Sequence, residues 1–202
     1  MYLAMNNNKF KNKYRTSPAR LANWDYGSNG LYFITICTKN RIRYFGDITI
    51  NDDVETQNIA SLHRTQNIAS LRPTEIGNIA IENWKQIPKH FPFIGLDEFV
   101  IMPDHVHGIL CINKPDKNDW HPNRFGVQSQ NLGSVVRGYK ASVKTYSTIR
   151  HIEFSWQRKY YDHVIRNKKE LQSIRRYICH NPIKWILNKK EKTDENINGL
   201  SR

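Results

Sequence analysis

The order of apolar patterns along this chain predicts an α+β fold: a ferredoxin-like split βαβ arrangement, with an antiparallel sheet and a further C-terminal helix. Two observations predict it. LYFITICT at 31–38 and HVHGILCI at 105–112 are short runs rich in aromatic and β-branched residues, the composition of strands. Two longer stretches, after the first run and after the second, carry apolar residues at helical spacing. The whole reads strand–helix–strand–strand–helix–strand, then one more helix. Helices on one face of such a sheet leave the other face open for a ligand.

Residues 1–28 are polar and basic (KFKNKYR, then SPAR) and read as an N-terminal arm anchored near Trp24. The first strand covers Leu31 to Thr38. Residues 47–72 hold a duplication: TQNIASL at 56–62 recurs at 65–71, a nine-residue period. Two copies are too few for a solenoid, so the stretch reads as a disordered loop insert. A helix opens at Pro73-Thr74-Glu75, carries Ile76, Ile79, Ala80, Trp84 and Ile87 on one side, and ends at Pro88. Phe99–Met102 and His105–Ile112 are the second and third strands, joined at Pro103-Asp104, and 114–130 is a polar loop. Leu132, Val136, Tyr139, Val143 and Tyr146 stripe a helix to about Ile149. The fourth strand covers Phe154 to Tyr161 or extends to Ile165. The last helix begins at Asn167, with Glu170 in a capping-box-like position, and stops near Pro182. The catalytic or binding domain is therefore 29–187, and 188–202 is a disordered tail without apolar periodicity.

Hydrophobic residues make up 39% of the 202, enough for a core, while the formal charge is +13 with a pI near 9.7. That excess favours a polyanionic partner, nucleic acid or an anionic membrane. No apolar run approaches the ~18 residues that span a bilayer, and the first residues have no signal-peptide core. Membrane attachment is the weaker reading. Cys37, Cys111 and Cys179 form no CxxC pair. They read as small buried hydrophobes in a protein of the reducing cytoplasm.

The strongest chemical signal is His105-Val106-His107. Strand residues two apart share a face at roughly 6.5–7 Å, so both imidazoles can converge on one metal while Val106 enters the core. Asp104, by the same alternation, points to the opposite face. Two ligands leave a divalent metal short. Tyr177 and Asn181 lie one helical turn apart and offer a phenol and an amide oxygen, with His180 as a competing third ligand. Arg137, Lys140 and Lys144 form a helical stripe. Arg158, Lys159, Arg166, Lys168, Lys169, Arg175 and Arg176 surround the final strand and helix, interleaved with Trp156, Tyr160 and Tyr161. Cations hold a phosphate backbone, and rings of this kind stack unpaired bases.

FVIMPDHVHGIL, LGSVVRGYKASV and FSWQRKYYDHVIRNKKELQSIRRYICHNPIKW, taken together, resemble the HUH-type single-tyrosine transposases of insertion sequences, above all the REP-associated tyrosine transposases. The resemblance spans roughly residues 24–187 and includes the order of all elements. It implies that His105 and His107 hold Mg²⁺ or Mn²⁺ and that Tyr177 is the nucleophile. It also implies that the residue four positions on completes the metal site; that residue is usually glutamine and is Asn181 here. The implied reaction cuts and rejoins single-stranded or hairpin DNA through a covalent 5′-phosphotyrosine, in a monomer or homodimer. Arg137, Lys140, Lys144, Arg158, Arg166 and Arg175 are the expected DNA contacts. A non-catalytic nucleic-acid-binding relative and a different metal-dependent hydrolase are the competing readings, and Tyr160 and Tyr161 are the rival nucleophiles.

Overall fold

The computed structural model describes residues 24–50, 69–114 and 129–189 in full, and the backbone of 9–10, 13–14 and 190–199. Two short strands, β1 (Lys9–Phe10) and β2 (Lys13–Tyr14), pair with each other. Then come β3 (Gly30–Cys37), a 3-10 turn (Lys39–Arg41), β4 (Gly46–Ile50), β5 (Ala69–Pro73), α1 (Glu75–Lys85) and α2 (Ile87–His90). They are followed by β6 (Ile94–Met102), β7 (His105–Ile112), α3 (Leu132–Ile149), β8 (Tyr161–Ile165) and α4 (Lys168–Gly199). The main sheet has the order β6-β7-β3-β8 with every neighbour antiparallel. This is the split βαβ fold that the sequence predicts, with α1 and α3 as its two crossovers.

Alternation along the central strands divides the interior in two. Tyr32, Ile34 and Ile36 of β3, Val106 and Leu110 of β7 and Val164 of β8 meet Ala80 and Trp84 of α1 and Val136, Tyr139 and Val143 of α3 in the larger core. On the opposite face Phe33, Ile109 and Ile165 pack against Ile178 of α4, with Leu171 and Ile174 beside them. The second face is therefore not open, as the sequence suggested. Helix α4 covers it, lying against β6 and the β4–β5 ribbon. A salt bridge fixes the contact: Arg175 forks onto Asp97, which sits in the irregular stretch of β6 between Leu96 and Phe99.

Several boundaries differ from expectation, each for a physical reason. Helix α4 does not stop at Pro182 but runs on to Gly199. Proline removes one intrahelical bond and crowds the previous turn. Here Ile178 and Ile183 are buried on either side of it, so packing holds the helix through the defect. Beyond it, lysine and glutamate extend an existing helix at little cost, and residues 188–199 are helical rather than a disordered tail. Pro88 closes α1 but also sits in the first turn of α2, where its missing N–H costs nothing. The second strand begins at Ile94, ahead of Phe99. The fourth is Tyr161–Ile165, and the 154–160 segment pairs with the chain after β3 through a Thr38–Trp156 bridge.

The ends of the expected loop insert are strands. Ile48 pairs with Leu71 and Ile50 with Ala69, so β5 is built from the end of the second TQNIASL copy. The first copy lies outside the described residues, as does most of the N-terminal arm. The three cysteines are free and half-buried rather than core. Among the described residues no helix is long and apolar enough to cross a membrane.

Two predictions come from this packing. An added Cβ at Gly108 would lie 2.2 Å from the Trp84 ring, so Gly108→Ala forces the indole or the strand to move. It should destabilise by about 1–3 kcal/mol in urea melts, and an unchanged midpoint would show that Trp84 has room to retreat. Deleting residues 56–64 leaves β5 and one TQNIASL copy intact and halves the 18-residue connection 51–68. Loop-closure entropy predicts a native circular dichroism spectrum and a gain of about 0.6 kcal/mol or no change. A marked loss of stability would mean that the first copy has its own packing partner.

Candidate functional site

The site begins with the register of three strands. Thr35 of β3 lies opposite His107, and Cys37 opposite His105. On the far side of β7, Val100 and Met102 face the same two histidines. Both imidazoles project onto the α4 face, because Val106 between them is fully buried in the larger core. There they are almost wholly enclosed, with 4% and 5% of their surface exposed.

Each ring is held by its Nδ1. Asp104 Oδ1 lies 2.5 Å from His105 Nδ1, and Thr35 Oγ1 lies 2.8 Å from His107 Nδ1. The two Nε2 atoms converge to 3.0 Å. A carboxylate only accepts, so Asp104 fixes the His105 proton on Nδ1 and leaves Nε2 as a lone pair. A hydroxyl can donate or accept, so Thr35 suits either tautomer of His107. With His105 Nε2 a lone pair, the 3.0 Å contact needs His107 Nε2–H as its donor, with Thr35 donating to Nδ1. The tautomer in which His107 Nδ1–H donates to Thr35 Oγ1 instead frees both Nε2 atoms for a cation. Two Nε2 atoms aimed at one point, with Nδ1 of each already partnered, form a donor pair that suits a divalent cation. Among the described residues no cluster of three or more His, Cys, Asp or Glu side chains adds to it.

Asp104 overturns an expectation. It occupies the β6–β7 turn, where strand alternation does not apply, and its carboxylate reaches His105 rather than the opposite face. Its other oxygen pairs with Arg41 Nε at 3.3 Å. Asn40 and Arg41 both hold left-handed backbone, φ 55° and 56°, a costly conformation outside glycine that aims the guanidinium at this carboxylate and at Cys37 Sγ. With both oxygens engaged, Asp104 is a support for His105 and not a spare general base.

Helix α4 brings the phenol. Tyr177 Oη lies 3.3 Å from His107 Nε2, its ring edge-on to Phe33, which in turn stacks on His107. The side chain is still 43% exposed, so a ligand can reach it. One turn on, Asn181 Nδ2 donates to the Tyr177 carbonyl at 3.0 Å. The donor end of the amide is thus used within the helix, and Oδ1 is the end a cation would draw on. His180 turns its Nδ1 to the Arg176 carbonyl. Among the rival tyrosines, Tyr160 packs against the larger core. Tyr161 shares the α4 face but is paired with Thr35, two strands from His107, roughly 10 Å at Cα.

The six expected DNA contacts divide. Lys140 Nζ ties the carbonyls of Gln157 and Arg158, and burial lowers its pKa. Lys144 Nζ holds the Phe154 carbonyl, and Arg175 is committed to Asp97. Arg137, Arg158 and Arg166 are exposed. Sequence reading missed Thr35, Arg41, Arg43 and Trp185. Trp185 lies one turn past Asn181, its ring centroid 6.2 Å from that of His105, with the Arg43 guanidinium 5.4 Å above it. Spacing of four from Asn181 could have pointed to Trp185, had the helix been carried past Pro182.

Burial, reinforced by the neighbouring His105 and Arg41, pushes His107 down from 6.5 to about 3. The fold therefore contains neutral His107, while the unfolded chain protonates near 6.5. Its contribution is complete above that pH and lost progressively as pH falls towards 3. In chelator, His107→Gln should lose less stability than the wild type between pH 7 and 4.5, by on the order of 2 kcal/mol in urea melts. Parallel acid losses in the two proteins would overturn this.

Comparison with known proteins now adds context. No family model matches the chain. An uncharacterized protein of Haemophilus influenzae is 37% identical over 175 residues, 82% of this chain and 87% of that protein. A second Haemophilus influenzae protein, named "Putative REP-associated tyrosine transposase", is 26% identical over 161 residues, 79% of this chain and 74% of its own length. A solved REP-associated tyrosine transposase bound to a REP hairpin is similar at 16% identity and TM-score 0.48, covering 84% of this chain and 74% of that one. A solved protein of Deinococcus radiodurans R1, described as a putative transposase, is similar at 16% identity and TM-score 0.35, over 79% and 94% of the two chains.

Proposed function

We propose, from the similarity to a putative REP-associated tyrosine transposase and from the site itself, that the chain is a transposase of that kind, a DNA nickase and strand transferase with Tyr177 as nucleophile. One observation carries the reading: the Tyr177 hydroxyl stands 3.3 Å from Nε2 of a buried, neutral-favouring histidine on the face where both Nε2 atoms converge. Phenol and histidines of one copy lie within reach of each other, which supports a site formed within one copy, in a monomer or a homodimer.

His105 and His107 would hold Mg²⁺ or Mn²⁺, with Asn181 Oδ1 as the third protein donor. Such an ion supplies Lewis acidity at the scissile phosphate and offsets its charge. Asp104 and Thr35 keep both rings turned so that Nε2 faces the phosphate. Phe33 holds the Tyr177 ring edge-on and limits its swing. Tyr177 Oη then attacks phosphorus, forming the phosphotyrosine O–P bond as the bond from phosphorus to the 3′ oxygen breaks. The phenol proton leaves to water and the departing oxygen becomes a 3′-OH. Another 3′-OH attacking the same phosphorus reverses the exchange and releases Tyr177, so strands are joined without an external energy source.

The partner is single-stranded or hairpin DNA. A helix-borne phenol above a sheet face can be reached by a flexible strand, and the +13 charge favours a polyanion. Of the six cations singled out from the sequence, Arg137, Arg158 and Arg166 are exposed to a strand's backbone. The protein acts in the cytoplasm, which suits its three free thiols.

The test is covalent capture of a labelled single-stranded oligonucleotide with Mn²⁺. Tyr177→Phe should lose the adduct entirely, His105→Ala and His107→Ala should lower it at least 100-fold, and Tyr161→Phe should retain it. Oligonucleotide binding in chelator should survive all four changes. An adduct on Tyr160 or Tyr161, or undiminished adduct formation by both histidine variants, would sink the proposal.

A further inference from the structure

Trp185 is unused by the chemistry above, yet it stands at its rim. Tyr177, Asn181 and Trp185 are spaced four apart, so one face of α4 presents them in succession past the histidines. The Trp185 ring is only partly buried and lies beside His105, 6.2 Å between centroids. Its cover is Arg43, an exposed guanidinium 5.4 Å from the ring centre. Such a cation–π contact at an exposed site is weak and is readily exchanged for a flat aromatic partner. Beyond Asp104, the carboxylate that supports His105, Arg41 pairs with that carboxylate and also lines a recess of about 760 Å³ with Lys39, Lys144, Trp156 and Arg158. Lys144 is spent on a backbone carbonyl, whereas Lys39 and Arg158 are exposed.

A tryptophan face beside His105 and a basic recess reached through Arg41 fit a single strand crossing the site. We propose that Trp185 is the platform on which a base next to the scissile phosphate stacks, and that Lys39 and Arg158 hold phosphates further along the same strand. The incoming base displaces Arg43 from the ring, and the freed guanidinium turns to a phosphate of that nucleotide. Indole and base share only their flat faces, so the contact tolerates any base. Trp185 is thus a positioning residue that sets which phosphate of a bound strand stops at Tyr177. The inference rests on the DNA-processing reading above.

The experiment measures affinity of the full chain, in chelator so that no cleavage occurs, for two probes. One is a short single-stranded oligothymidylate; the other is an oligomer of equal length with abasic residues throughout, which keeps the phosphates and removes the bases. Trp185→Ala should weaken oligothymidylate binding about 10-fold and leave the abasic oligomer unchanged, while Trp185→Phe restores most of the loss. The Lys39→Ala/Arg158→Ala pair should weaken both probes alike and flatten the log–log salt slope by about 1.4. Equal loss on both probes with Trp185→Ala, or no loss on either, overturns the stacking role. An unchanged salt slope in the double variant overturns the phosphate role. In both cases wild-type binding to oligothymidylate leaves the transposase reading standing, whereas a wild-type protein that binds neither probe removes both.

Discussion

The period of two along β7 constrains everything at the site. Val106 is fully buried against α1 and α3, and a slip of one residue would drive it out and force the histidines into an apolar core. Strands β3 and β6 clamp β7 on both edges, so the hydrophobic core itself sets where the imidazoles point. Gly108 extends the same logic, since the Trp84 indole of α1 fills the space a side chain would need. The core behind the strand and the chemistry in front of it are therefore one packing problem.

That constraint fixes direction but not protonation, and the site adds a second device for that. Burial alone disfavours charge on His107, and the nearby Arg41 reinforces it. Asp104 fixes the tautomer of its own partner by accepting from His105 Nδ1. The result is a pair of imidazoles with both Nδ1 atoms partnered and both Nε2 atoms aimed at one point, in a protein with a formal charge of +13. Arg41 is held in a left-handed backbone to serve Asp104, which places a strained turn within reach of the phenol helix. The site is thus assembled from β3, β7, the 39–41 turn and α4, elements more than 130 residues apart in the chain.

How much of this the sequence shows depends on the range of the cause. The strands Leu31–Thr38 and His105–Ile112, the helices between them and the pairing of His105 with His107 on one face are local patterns, and they are legible. Thr35 is not, because its role exists only through the register of β3 against β7, which no local pattern encodes. Asp104 escapes the strand pattern because it sits in the β6–β7 turn, where alternation does not hold. Pro182 was read as a stop on its intrinsic cost, which is real, but Ile178 and Ile183 on either side outweigh it. The β4–β5 ribbon was hidden by the duplication, since a repeat draws the eye to its period rather than to the alternation of Ile48 and Ile50 opposite Leu71 and Ala69.

Charge is where sequence and structure part most usefully. Counting cations near the last strand and helix makes a broad basic field, but three of the six that spacing singled out are spent inside the protein. Arg175 docks α4 on the β6 edge, while Lys140 and Lys144 close backbone carbonyls of the 154–158 segment over α3. Each is a position where removing the charge costs fold as well as affinity, so alanine substitution there cannot separate the two. The cations that remain exposed include Lys39 and Arg43 after β3 and Arg158 more than 100 residues later, with Lys39 and Arg158 joined through the Thr38–Trp156 bridge and Arg43 resting on Trp185 of α4. A net charge of +13 favours a polyanion from any direction, whereas in the proposed reading it is these few residues, brought together by tertiary contacts, that orient a strand towards one phenol.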